Sequence, residues 1–137
     1  MHQRTTVIGT HHTLVHDSAT GNVTEQWKNK FGEDHRDDGP AMIVRNPSTG
    51  VIVQEFWCQN GELHRVDGPA YIRRDPINGE EMSLSWWKHG EVHRTDGPAI
   101  TERDADTGAI TLEWRANGIR QHRPQHLNRA GKNAPKP

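Results

Sequence analysis

A single cysteine, Cys58, stands in 137 residues, which excludes an internal disulfide framework and fits a reducing compartment. No apolar run is long enough for a secretory leader or a membrane span, so a soluble cytoplasmic protein with no membrane partner is expected. Hydrophobic residues are scarce, 31% against 26% charged, and that is lean for a compact core in one domain's worth of chain. A single-layered stack, or one that buries a face against a second copy, suits the composition better. Acidic residues are missing after Glu113, so the net charge of −1 divides unevenly. Residues 1–113 carry eleven basic against eighteen acidic groups, and the remainder carries six basic groups alone. A basic end can meet phosphates, although its Gly, Asn, Pro and Lys content also describes a plain disordered tail. A GxSxG nucleophile motif, a P-loop and a Cys-x-x-Cys pair are all lacking.

What is present is a repeat. Gly-Glu-x-His-Arg-x-Asp-Gly-Pro-Ala occurs at Gly32–Ala41, Gly61–Ala70 and Gly90–Ala99, a period of 29 residues, with a decayed fourth copy around His122-Arg123. A second landmark keeps the same interval: Ser18–Gly21, Pro47–Gly50, Pro76–Gly79 and Ala105–Gly108 each end in a turn glycine. The stretch before each and the alternating run after it read as strand, turn and strand. Val51 and Val53 are in phase with Trp57, as are Met82 and Leu84 with Trp86, and Ile110 and Leu112 with Trp114. Residues two apart share a strand face, so the tryptophans are expected on the apolar face. Tight turns follow at Asn60-Gly61, His89-Gly90 and Asn117-Gly118, with Phe31-Gly32 one residue longer. In Asp-Gly-Pro-Ala, Asp can bond the backbone two residues on, Gly supplies unusual dihedrals and Pro keeps the next step extended. The expected fold is all-β: tandem 29-residue hairpin repeats in an antiparallel sheet or open solenoid. Residues 1–13 form an N-terminal cap strand, 14–123 the four-unit domain, and 124–137 a basic tail.

The repeated His, Arg and carboxylates invite an active-site reading. Equivalent histidines would lie roughly 10 Å apart, two strands per repeat, too far to share one metal ion. No metal ligand, cofactor or catalytic residue is assigned. One Glu and one Asp flanking one Arg suit a local ion-pair cluster that fixes the loop. A row of His-Arg pairs along one edge could equally meet phosphates, because Arg presents a planar fork to their oxygens.

Unit three departs from its siblings. Only there is Trp doubled, so Trp87 points away from Trp86 toward the face of Ser83 and Ser85, expected to be polar. Lys88 and His89 follow, and the strand before carries Tyr71, Arg73 and Arg74. A Trp beside these cations suits a nucleotide, ring on base and cations on phosphate. The alternative is packing against a subunit, since Phe56 points to the same face in unit two. The candidate ligand-binding residues are His64, Arg65, Tyr71, Arg73, Arg74, Trp87, Lys88, His89, His93 and Arg94.

The string Trp-x-x-Asn-Gly-x-x-His-Arg-x-Asp-Gly-Pro-Ala at Trp57–Ala70 resembles the tandem repeats of small proteins of tailed bacteriophages and bacteria, a variant of MORN-type β-hairpin repeats. The resemblance covers residues 14–123; unit one departs with Lys-Asn-Lys-Phe before its Gly, and unit four loses Glu, Asp, Gly and Ala. It implies an accessory, counter-defence role in the host cytoplasm, sequestering a cyclic or linear nucleotide signal. The alternatives are a repeat scaffold for a host or phage protein and, third, a His-based phosphodiesterase. A homo-oligomer fits either binding reading.

Overall fold

The computed structural model describes residues 3–122, so the 124–137 tail lies outside the described residues. Those residues form an all-β fold without helices, and no helix is long and apolar enough to cross a membrane. A ten-stranded antiparallel meander holds β1 (Gln3–Gly9), β2 (His12–Asp17), β3 (Val23–Trp27), β4 (Met42–Arg45), β5 (Ile52–Phe56), β8 (Tyr71–Arg74), β9 (Glu81–Ser85), β12 (Ile100–Arg103), β13 (Ile110–Ala116) and β14 (Ile119–Gln121), in that order and unclosed. Two short hairpins, β6 (Cys58–Gln59) with β7 (Glu62–Leu63) and β10 (Trp87–Lys88) with β11 (Glu91–Val92), stand apart from it.

Each tryptophan is the branch point between the two sets. Trp57 N–H donates to Ala70 at the end of its own motif, while its carbonyl accepts from His64 of its short hairpin. Trp27 and Trp86 repeat this with Ala41 and His35, and with Ala99 and His93. The short hairpins are themselves linked between units, for Gly90 N donates to Leu63 and Gly118 N to Val92. Both rows therefore spend their backbone groups on the neighbouring unit, as a stacked repeat must.

Turn chemistry fixes the spacing. Asn60, His89 and Asn117 adopt φ of 49, 47 and 52°, each followed by a left-handed glycine, the pair of conformations that a two-residue hairpin turn needs. In the longer hairpins Asp17, Asn46, Asp75 and Asp104 each accept the backbone N–H two residues on, a local Asx turn. The N–H groups of Asn78 and Thr107, three residues on, and then those of Ile77 and Asp106 hold the carboxyls of Asp75 and Asp104 below the ordinary range.

Register assigns the faces, since directly opposed residues share one. One face carries Met42, Phe56, Tyr71, Ser85 and Ile100 in a row; the other carries Ile43, Glu55, Ile72, Leu84 and Thr101. The tryptophans extend the second row. The core on that side is thin: Ala41, Ala70 and Ala99 are fully covered between tryptophans, and Ile43, Ile72 and Met82 are buried. The tryptophans themselves are half-buried. The least exposed positions are thus among the smallest side chains.

Candidate functional site

The repeated motif folds around its arginine. The guanidinium of Arg65 lies 3.6 Å from the centre of the Trp57 ring, and those of Arg36 and Arg94 lie 3.8 Å from Trp27 and Trp86. Each donates from Nη1 to the motif's own proline carbonyl, at 3.4 Å to Pro40 and 3.1 Å to both Pro69 and Pro98. The motif glycine closes the stack from the other side. A Cβ on Gly68 or Gly97 would stand 2.7 Å from the guanidinium carbon. These glycines do not have positive φ; they provide space for a cation, and the dihedral role expected of them belongs to the turn glycines. The motif Asp also acts differently from its expected turn role. Asp38 and Asp96 accept from the Arg Nε two residues back, at 3.2 and 2.9 Å, and Arg94 holds the Asp96 carboxyl below its usual range. In unit two the Arg65 Nε is buried without a partner.

The motif histidine links units. His35 Nδ1 accepts the Asn60 N–H at 3.0 Å, His64 the His89 N–H at 3.0 Å, and His93 the Asn117 N–H at 2.9 Å. Each ring thereby holds the next unit's turn. In unit one the other ring nitrogen meets Asp37 at 3.0 Å; Val66 and Thr95 stand at that place in units two and three, so Nε2 of His64 and His93 has no carboxylate opposite. The His64 ring also stacks on His89, centroids 4.1 Å apart. Partial burial first, then His89 and Lys88, push the His64 proton affinity below its ordinary value, with Glu62 opposing.

Two grooves flank this junction. One, about 500 Å³, lies between units two and three and gathers His64, Arg65, Trp87, Lys88, His93 and Arg94. The other, about 480 Å³, lies between units one and two, and His64 to Asp67 form the wall common to both. His89 lines the second. Seven of the ten candidate residues thus meet along one edge. The other three lie elsewhere. Tyr71 packs on Phe56, ring centres 5.0 Å apart, and accepts from Gln54 at 3.0 Å. Arg73 shares that face through its register with Gln54 and Ser83. Arg74 is on the tryptophan face, 2.7 Å from Glu55.

Ser83 and Ser85 are buried, against the open polar face their spacing suggests. Trp87 is half-buried over Ser85 and donates to its hydroxyl at 2.7 Å; Ser83 donates to Glu102 at 2.6 Å. Glu55 was not among the candidates, yet its carboxylate joins Arg74 to the Trp57 Nε1–H, at 3.0 Å. A carboxylate in phase with Val53 and Trp57 is the signal that marked it. Among the described residues no three His, Cys, Asp or Glu come together to hold a metal. Burial, then Asp34, raises the Cys58 thiol to about 11, which leaves it an inert packing group. No protein-family model matches the chain, nor does any curated protein or solved structure.

Proposed function

We propose that this is a non-catalytic binding protein that captures a phosphorylated nucleotide at the junction of units two and three. One observation carries the reading: Lys88 lines one groove and His89 the other, on either side of His64 in the wall the grooves share, with the His64 and His89 rings stacked at 4.1 Å. Partial burial first, then His89 and Lys88, disfavour a proton on His64, and an anion bound beside Lys88 would offset that local positive potential. Lys88 has no ion-pair partner among the described residues, and Nε2 of His64 and His93 is available to donate. The half-exposed Trp87 edge lines the same groove, whose size is that of a small-molecule site. The motif arginines act here as fixed positive charge beneath the ligand, since their stacking and proline bonds occupy them. Sequestration of a nucleotide signal, cyclic or linear, needs only tight and saturable binding of this kind.

A scaffold reading draws on the Phe56–Tyr71 pair, half-exposed on the face remote from the grooves, where aromatic anchors would suit a protein partner.

The test uses the repeat's own substitutions. Unit two has Gln59-Asn60 where unit three has Lys88-His89, so K88Q/H89N preserves the turn and removes the ammonium and the imidazole. Thermal shift against linear and cyclic nucleotides, with chromatography of each mixture, should give stabilisation by an unmodified ligand that the variant loses. Equal stabilisation of the variant would sink the site. Conversion of the nucleotide would replace capture by catalysis.

A further inference from the structure

We propose that β1 is a dimerisation edge: two copies of this chain join their first strands antiparallel, about a two-fold axis at Thr5, into one continuous sheet. The inference is independent of the nucleotide reading. An outer strand presents a row of unpaired backbone N–H and C=O groups, and folded proteins guard such rows with charge, proline or brevity. The two ends of this sheet are treated differently. At one end β14 has three residues, pairs only with the last three of β13, and sets Arg120 opposite Arg115. The arginine pair discourages a further strand along β14, while residues 110–113 of β13 extend past it. At the other end all seven residues of β1 are exposed, Val7 at 71% and Ile8 at 50%. That strand has no proline and no lysine, and its one charge is Arg4.

Register follows from the strand's regular part. Pairing of β1 with β2 runs without interruption from Gln3 to Val7, and a bulge falls between Val7 and Gly9. A bulge twists the strand away and ends regular pairing, so the segment open to a second copy is Gln3–Val7, centred on Thr5. A two-fold axis there, normal to the sheet, sets Gln3 against Val7 of the second copy, Arg4 against Thr6, and Thr5 against itself. No like charges oppose each other, and β-branched residues fill the central positions, where cross-strand packing favours them. The same axis keeps each sheet face continuous across the junction. Because the contact is isologous, each copy uses its β1 edge once and this contact closes at two copies. Edge pairing alone buries little area, so the dimer is expected to be in reversible, concentration-dependent exchange.

Sedimentation equilibrium of the full chain over a concentration series tests this. Two double variants carry charge at the same exposed, opposed positions and differ only in the sign at residue 7, which faces the neutral Thr13 on β2. In Q3K/V7K like charges face each other across the axis twice; in Q3K/V7E opposite charges do. Both place the same lysine opposite Asp17, so they should melt alike. The parent should dimerise, and Q3K/V7K should associate about tenfold or more weakly than Q3K/V7E, given two opposed pairs at the strength of cross-strand charge pairs. A parent that stays monomeric throughout the series would overturn the proposal. So would equal association of the two variants, which would place any dimer on another surface.

Discussion

Replacing Gly97 with Ala isolates what holds each repeat together. The added Cβ would stand 2.7 Å from the Arg94 guanidinium carbon, with Nη1 and Nε at 2.9 and 3.0 Å. No real methyl tolerates that, and the guanidinium is the movable party. Moving it surrenders the stack on Trp86, 3.8 Å from the ring centre, and the 3.1 Å bond to Pro98. A cation over an indole contributes about 0.5–2 kcal/mol, and a hydrogen bond from a charged donor about 1.5–3 kcal/mol. Against this, Ala lowers the entropy of the unfolded chain, worth roughly 0.4–1 kcal/mol. The net expectation is a loss of about 1–5 kcal/mol, read by urea unfolding followed by tryptophan fluorescence and far-ultraviolet circular dichroism. The decisive measurement is the same substitution in an Arg94→Met background. Once the guanidinium is gone the methyl has room, and because Gly97 has no positive φ only the entropy term remains. Gly97→Ala should then be neutral or stabilising by roughly 0.4–1 kcal/mol. An equal loss in both backgrounds would refute the reasoning and show that the glycine serves backbone conformation.

Acid should loosen the stack through His64, whose Nδ1 must be unprotonated to accept the His89 N–H. Its folded proton affinity lies below the unfolded value of 6.5, so its stabilisation is complete above that value and is lost as pH falls through the folded one; His64→Gln should flatten the slope of melting temperature against pH in that window. Asn60→Ala should cost about 1–2 kcal/mol for its left-handed backbone, whereas His89→Asn should leave thermal stability within a degree or two of the parent, since Asn serves the same turn in units two and four. Ala70→Leu, at a position with no exposure, should destabilise by about 1–3 kcal/mol or more through overpacking between Trp57 and Trp86, measured by the same unfolding curves.

The hairpin architecture was legible because its signals are local. Asn60-Gly61 and Asn117-Gly118 announce two-residue turns, and the phase of Val53 with Trp57 names a face before any coordinates. The low apolar content is matched by how few apolar side chains are buried. The interior of the motif was less readable. Asp and Gly suggest a turn to anyone reading Asp-Gly-Pro, but in units one and three the Asp holds an arginine and the Gly makes way for it. Arg–Trp stacking joins Arg65 to Trp57 across a hairpin, which the motif alone does not display. The His–turn bonds join residues 25 apart in different units, and no periodicity reveals which ring nitrogen meets which amide. Ser83 and Ser85 misled for another reason: alternation assigns a face but says nothing of a bulky neighbour such as Trp87 folding over it.

The repeat's shared chemistry is largely spent on its own architecture. The arginine is consumed by Trp, Gly and Pro, the histidine Nδ1 by the next turn, and the turn Asn by its backbone. A ligand must then be met by what those bonds leave unused and by residues at which one unit departs from the others. Units two and three place Val66 and Thr95 where Asp37 occupies His35 in unit one, freeing the ring nitrogens of His64 and His93. Unit three further places Trp87, Lys88 and His89 where unit two has Cys58, Gln59 and Asn60. These departures coincide on one edge, beside the wall common to two grooves, although turn geometry required none of them: Asn fits the place of His89 as well. The excess over structural need at that junction is the reason the proposed ligand site is placed there, ahead of the more conspicuous row of motif arginines.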